Sequence, residues 1–313
     1  MTLAVGLLLA SVVISAGAPR YLRPGSTPRV HPSLSLCAWL VAALAMVGSA
    51  LAAAVILLSP DPAVPDGALG LATACWQAIG DSAFPWLLLT RLVTGVTVLA
   101  LLLRLSGVLA SDLIVGGRRR RDHATSLRAV ARVTDGVWWV DSELPVAFSV
   151  GKYRRGVIVA STAVEHLGKD ITEAVLAHER AHLRGHHHLA LTLANAMARA
   201  LPWIPLCRAA PAAVSVLCEL AADAAAVKTC GRNAVSQALR QMAGGASPPG
   251  VVGFGAHMQA RLSWLNRRRS SLFRNSGPIS RGLAGTAALI PPMASAALAI
   301  TSITVLCLSR TGG

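Results

Sequence analysis

From Leu34 to Leu58 the chain carries no charged residue. At ~1.5 Å per residue a helix over this run is long enough to cross a hydrocarbon layer of ~30 Å. Lipid offers no hydrogen bonds, so such a segment must satisfy its backbone internally and is confined to a helix. Three further apolar runs, 1–18, 84–103 and 283–308, repeat the pattern. In the first, Ala16-Gly17-Ala18 resembles a cleavage site, but no positive charge precedes the run while Arg20, Arg23 and Arg29 follow it. That favours a retained span over a removed leader. Arg91 and Arg104 lie near the ends of the third run, where long side chains can reach the interface. Pro291-Pro292 interrupts the fourth and would kink it. With 54% hydrophobic and only 14% charged residues, the chain is too apolar for an ordinary soluble domain.

The charges between these runs orient them. Of the 29 basic residues, 24 fall between Arg104 and Arg281, whereas the loop from Ser59 to Ser82 holds Asp61, Asp66 and Asp81 and no Lys or Arg. An excess of Lys and Arg marks the cytoplasmic side. The expectation is a multi-pass cell-membrane protein with its N-terminus outside and a cytoplasmic domain over 104–282, between the third and fourth spans. The tail after Leu308 is too short to fold, so no external ligand-binding domain is expected. The clusters Arg118 to Arg121 and Arg267 to Arg269 would meet anionic lipid headgroups at ~1 kcal/mol per residue. No DNA-binding motif accompanies them, so nucleic-acid binding is not expected.

Within that domain stands His178-Glu179-Arg180-Ala181-His182. Residues four apart share one face of a helix, so both imidazoles can converge on one ion. Glu179 then lies beside the ion, where a carboxylate can take a proton from water. Six cysteines occur without a C-x-x-C pair, which leaves the histidines as the metal centre. Upstream, Val137-Trp138-Trp139-Val140, Ala147-Phe148-Ser149-Val150 and Val157-Ile158-Val159-Ala160 read as short strands of an antiparallel sheet. Ala147 to Val150 is the candidate edge for an added substrate strand.

Two residues compete as third ligand. Glu219 precedes Asp223 by one helical turn, and Asp223 could hold the free N–H of a ligating histidine. His188 completes His178-Glu179-x-x-His182-x-x-Gly185-x-x-His188, a three-histidine zinc signature. That signature needs the helix to stop at Gly185, whereas Leu189 to Leu201 reads as helical, and no companion methionine turn is evident. Glu219 and Asp223 would be costly among Leu217, Leu220, Ala221 and Ala222 unless paired. The reading favours Glu219 and keeps His188 as the alternative. The donor that would stabilise an oxyanion stays open among His186, His187, His257 and several arginines.

These residues together resemble the membrane zinc metallopeptidases of the β-lactam sensor-transducer (BlaR/MecR-type) family, and more distantly the heat-shock and prenyl-protein membrane peptidases. The likeness rests on 147–150, 156–161, 174–182 and 219–223, with Pro202-Trp203-Ile204-Pro205-Leu206 between them. It implies a mainly α, four-span protein with an α+β zincin-like (gluzincin) domain. It also implies Zn2+ on His178, His182 and Glu219, Glu179 as general base, and Asp223 behind a ligand. Such enzymes cleave themselves or a transcriptional repressor on a signal. This chain departs from them in lacking a penicillin-binding domain, so a signal would enter through the spans, the outer loop or a partner. The alternatives are a quality-control protease of the heat-shock type and a non-catalytic zinc-binding signalling scaffold.

Overall fold

The computed structural model describes residues 2–22, 31–58, 84–150, 156–242 and 257–267. Three apolar helices come first: α1 (Thr2–Tyr21), α2 (Pro32–Leu58) and α3 (Phe84–Val130). α1 and α2 pack along each other, pinned where the Trp39 indole donates to Leu22 O (3.1 Å) and the Ser11 hydroxyl donates to Met46 O (3.1 Å). α3 runs unbroken to Val130, well past the expected end of a span at residue 103. Arg104 does not end it. Its guanidinium instead donates to Ala200 O (2.7 Å) and lies over the Trp203 ring. A helix end leaves carbonyls without partners, and a cation is well placed to take them.

A small sheet follows, with β1 (Arg132–Thr134), β2 (Val137–Val140), β3 (Ala147–Val150) and β4 (Val157–Ser161) in the order β1-β2-β4-β3. Asp135 and Gly136 both have positive φ, the geometry that a two-residue hairpin turn between twisted strands requires. The sheet is mixed rather than purely antiparallel: β4 pairs antiparallel with β3 but parallel with β2. The reason is burial. Val157-Ile158-Val159-Ala160 is apolar on both faces, which suits a central strand, and β4 slots between β2 and β3. β3 therefore lies at an edge, as expected from the sequence.

The remaining helices are α4 (Thr162–Glu165), α5 (Lys169–Arg184), α6 (His187–Ala200), α7 (Pro205–Gln241) and α8 (Met258–Arg267). α7 bends at Gly231, whose φ of 80° and ψ of 162° leave the helical region and suit glycine. Two apolar cores share this helix. Its first half, to Cys218, packs with α1, α2 and α6. Its second half, from Ala226, packs with the sheet, α5 and α8. The stretch 219–225 lies at the seam between them.

Among the described residues the protein is thus mostly helical with one small sheet, and three helices there are long and apolar enough to cross a membrane: Pro32–Leu58, Leu89–Arg118 and Pro205–Gln241. No residue in the apolar stretch of α3 is fully buried, and Leu92 and Leu103 are more than 60% exposed, which is consistent with a membrane protein. α7 was not expected as a membrane-length helix. It is apolar chiefly because 67% of its apolar window is buried inside the protein. The first run is a helix but a shorter apolar one, Ala4–Arg20. The expected fourth span, 283–308, lies outside the described residues.

Candidate metal centre

α5 starts behind Gly168, whose φ of 99° lets the chain turn in from α4, and Asp170 in its first turn complements the helix dipole. The middle of α5 is buried on all sides, from Ala174 through Leu176 to Glu179, and so are Ala181 and His182 after it. The helix stops at Arg184, the chain turns through Gly185 and a left-handed His186, and α6 begins at His187. The break at Gly185 is therefore real, where the sequence suggested a continuing helix.

α7 crosses α5 so that Glu219 faces the histidine pair. His178 Nε2 and His182 Nε2 are 3.0 Å apart, and each is 3.4–3.5 Å from a Glu219 carboxylate oxygen. All three side chains are 0–1% exposed, and their candidate ligand atoms lie within 4.8 Å of one another. His188 is not part of this group. Its Nε2 sits 3.4 Å from the Ser149 hydroxyl on β3.

Each imidazole is held from behind. His178 Nδ1 is 2.9 Å from Asp223 Oδ1. His182 Nδ1 is 2.9 Å from His187 Nδ1, and burial, helped by His182, pulls the His187 pKa down to about 3. Neutral His187 can accept the His182 proton, which turns both Nε2 lone pairs inward. Gly185 makes this possible, since a Cβ there would collide with the His187 ring and lie 3.0 Å from Ala181 O. Burial and the nearby Arg261 lower the proton affinity of His178, but its bonds to Asp223 and Glu219 outweigh them and push its pKa to about 9.

When both imidazoles are neutral, the two inward nitrogen lone pairs and the carboxylate repel one another, and either a proton on His178 or a metal cation among them relieves this. The buried oxygens of Glu219 are met by Arg261 Nη1 at 3.0 Å and by the two imidazoles at 3.4–3.5 Å, whereas those of Glu179 make no well-formed hydrogen bond among the described residues. That donor set, imidazole nitrogen plus carboxylate, is one that zinc accepts. Burial also pushes Glu179 above the usual carboxylate range, against the pull of His182 and His178.

Residues 129–208 match the family model described as Peptidase family M48. The match supports a metallopeptidase. It runs from the end of α3 through the sheet, α5 and α6 into the start of α7, and so includes His178, Glu179 and His182 but ends before Glu219. No curated protein and no solved structure matches the chain.

One member of the centre escaped the sequence reading altogether. Arg261 on α8 is 0% exposed and donates through Nε to Asp223 Oδ2 (2.7 Å) and through Nη2 to Asp223 Oδ1 (2.5 Å). Its Nη1 is 3.0 Å from Glu219 Oε2. The available signal was a lone arginine one turn before Leu265 and beside Leu262, on a face that otherwise reads as apolar. His187 was seen only as one of several histidines, because its contact depends on the turn at Gly185.

Proposed function

We propose that the protein is an integral-membrane zinc endopeptidase in which His178, His182 and Glu219 hold the ion and Glu179 is the general base. The observation that carries this reading is the convergence of those three buried ligand atoms beside a fourth buried residue, Glu179. A bound zinc supplies Lewis-acid chemistry, acidifying water and polarising a peptide carbonyl. Glu179 takes the proton of the attacking water and returns it to the leaving amine, a role for which a raised carboxylate pKa is suited. Asp223 and His187 keep the two imidazoles in the tautomer that offers Nε2. The substrate chain lies extended along β3, whose outer edge has no partner strand among the described residues, and adds to the sheet through its backbone.

The excess of basic residues between Arg104 and Arg281 supports a cytoplasmic active site. On that reading the substrate is a cytoplasmic or membrane-proximal protein, either the chain itself or a repressor, as in the sensor-transducer enzymes it resembles. Arg118 to Arg121, at the end of the apolar stretch of α3, would rest on anionic headgroups. The test is Glu179→Gln in the full chain. Proteolysis should fall by about 10²–10⁴-fold while one zinc per chain is retained. Unchanged proteolysis in that variant would overturn the enzymatic reading.

A further inference from the structure

We propose that Arg261 is a positioning residue of this centre: it fixes the ligand Glu219 and, behind the ligand His178, Asp223, and it sets the charge of the pocket to that of a divalent cation. The proposal rests on the zinc site described above and adds a residue from beyond the matched segment.

The argument begins with charge. Among the described residues, the buried acids are Glu179, Glu219 and Asp223, and the buried permanent cation is Arg261. Three carboxylates against one guanidinium leave a deficit of two positive charges, which a divalent ion removes. Proton transfer from water to Glu179 keeps the sum unchanged. Ions in a dry interior are strongly penalised unless compensated, so losing Arg261 would leave the buried carboxylates one compensating charge short in the empty and the loaded centre alike.

Geometry gives the second half. Arg261 grips both oxygens of Asp223, the two-pronged arrangement that a planar guanidinium makes well. That grip leaves Oδ1 facing His178 Nδ1 at 2.9 Å. The third nitrogen of the fork, Nη1, reaches Glu219. One side chain therefore meets the ligand Glu219 directly and the ligand His178 both through Asp223 and through its own Nη2, 3.3 Å from His178 Nδ1. It is fully buried and turned to these carboxylates, so it acts on the ligands rather than on a substrate.

α8 is itself held in place. His257 Nε2 is 2.8 Å from the Ser215 hydroxyl at one end, Arg232 donates to Leu265 O near the other, and Leu265 is buried in the core around the sheet. Ser215 and Arg232 both belong to α7, the helix that carries Glu219. The arginine is thus delivered by an element that docks on the ligand-bearing helix from outside the histidine helix.

The test is zinc affinity of the full chain in detergent, by chelator competition, with the visible spectrum of the cobalt-loaded protein as a report of ligand geometry. Arg261→Met should weaken zinc by about 10–100-fold, as loss of a partner behind metal ligands does. Arg261→Lys keeps the charge but not the fork, and should bind about tenfold more weakly with a shifted cobalt band. Asp223→Asn combined with Arg261→Met removes both partners behind His178 and should bind no more tightly than Arg261→Met alone. Affinity within twofold of wild type and an unchanged cobalt band in Arg261→Lys would overturn the proposal, and this variant decides the matter if Arg261→Met does not fold. A wild-type chain that takes up no zinc would instead overturn the metal reading beneath it.

Discussion

At the scale of single residues, protons and metal compete for the same lone pairs. His178 carries a proton up to a pKa of about 9 in the metal-free centre because Asp223 and Glu219 stabilise its charged form. A raised pKa on a base means that the proton must leave before the ring can ligate. Zinc affinity should therefore fall about tenfold for each pH unit below about 9 and level off above it. Calorimetry in two buffers would show one proton released per zinc at neutral pH, and affinity independent of pH between about 7 and 9 would contradict this. Gly185 offers a second test. Gly185→Ala puts a methyl into the His187 ring, breaks its contact with His182, and should weaken zinc by about 10–100-fold. Unchanged affinity would show that His187 does not orient the ligand.

The pair His178 and His182, with Glu179 between them, was legible because four-residue spacing on a helix is a local rule. Glu219 and Asp223 were legible for another reason: two acids in an alanine-rich helix call for a buried partner. That partner, Arg261, was not legible, since it is brought in by the docking of a separate helix rather than by spacing. The three-histidine alternative shows the opposite failure. Its helix break at Gly185 exists, yet His188 points to Ser149, and the turn delivers His187 to the centre instead.

At the scale of elements, α8 matters through what it carries. Leu265 is buried against the same core as α5 and the second half of α7. Leu265→Ala should destabilise that packing by about 2–5 kcal/mol and, by loosening Arg261, reduce zinc affinity without touching a ligand. Hydrogen exchange on 258–267 would show the loosening. Faster exchange with zinc affinity intact would separate α8 from the centre. The sheet was legible as strands, and β3 as an edge. Its mixed pairing was not, because alternation and turn signals fix which residues extend but not which strand slips between two others. Helix α3 was longer than the sequence implied for a related reason: Arg104 looked like a boundary charge, but its carbonyl partners lie on α6.

At the scale of the whole molecule, the centre sits where two apolar cores meet along α7. One core is made with α1, α2 and α6, the other with the sheet, α5 and α8. Glu219 and Asp223 lie at that junction, so a short packed path runs from α1 and α2 to the candidate ligands. The connection from α3 to α6 through Arg104 on Ala200 O and Asp112 with Arg199 (2.6 Å) adds a second path. Apolar composition signalled helices long enough to cross a membrane, and α2 and α3 are such helices. It could not separate an apolar helix exposed on the protein, such as α3, from one apolar because it is buried inside it, such as α7, because both settings select the same residues.

The measurement that bears most directly on this account is zinc stoichiometry of the purified full chain in two variants side by side. Glu219→Ala should lose the ion while His188→Ala keeps one per chain. Zinc retained in Glu219→Ala and lost in His188→Ala would contradict the ligand set on which the mechanism depends.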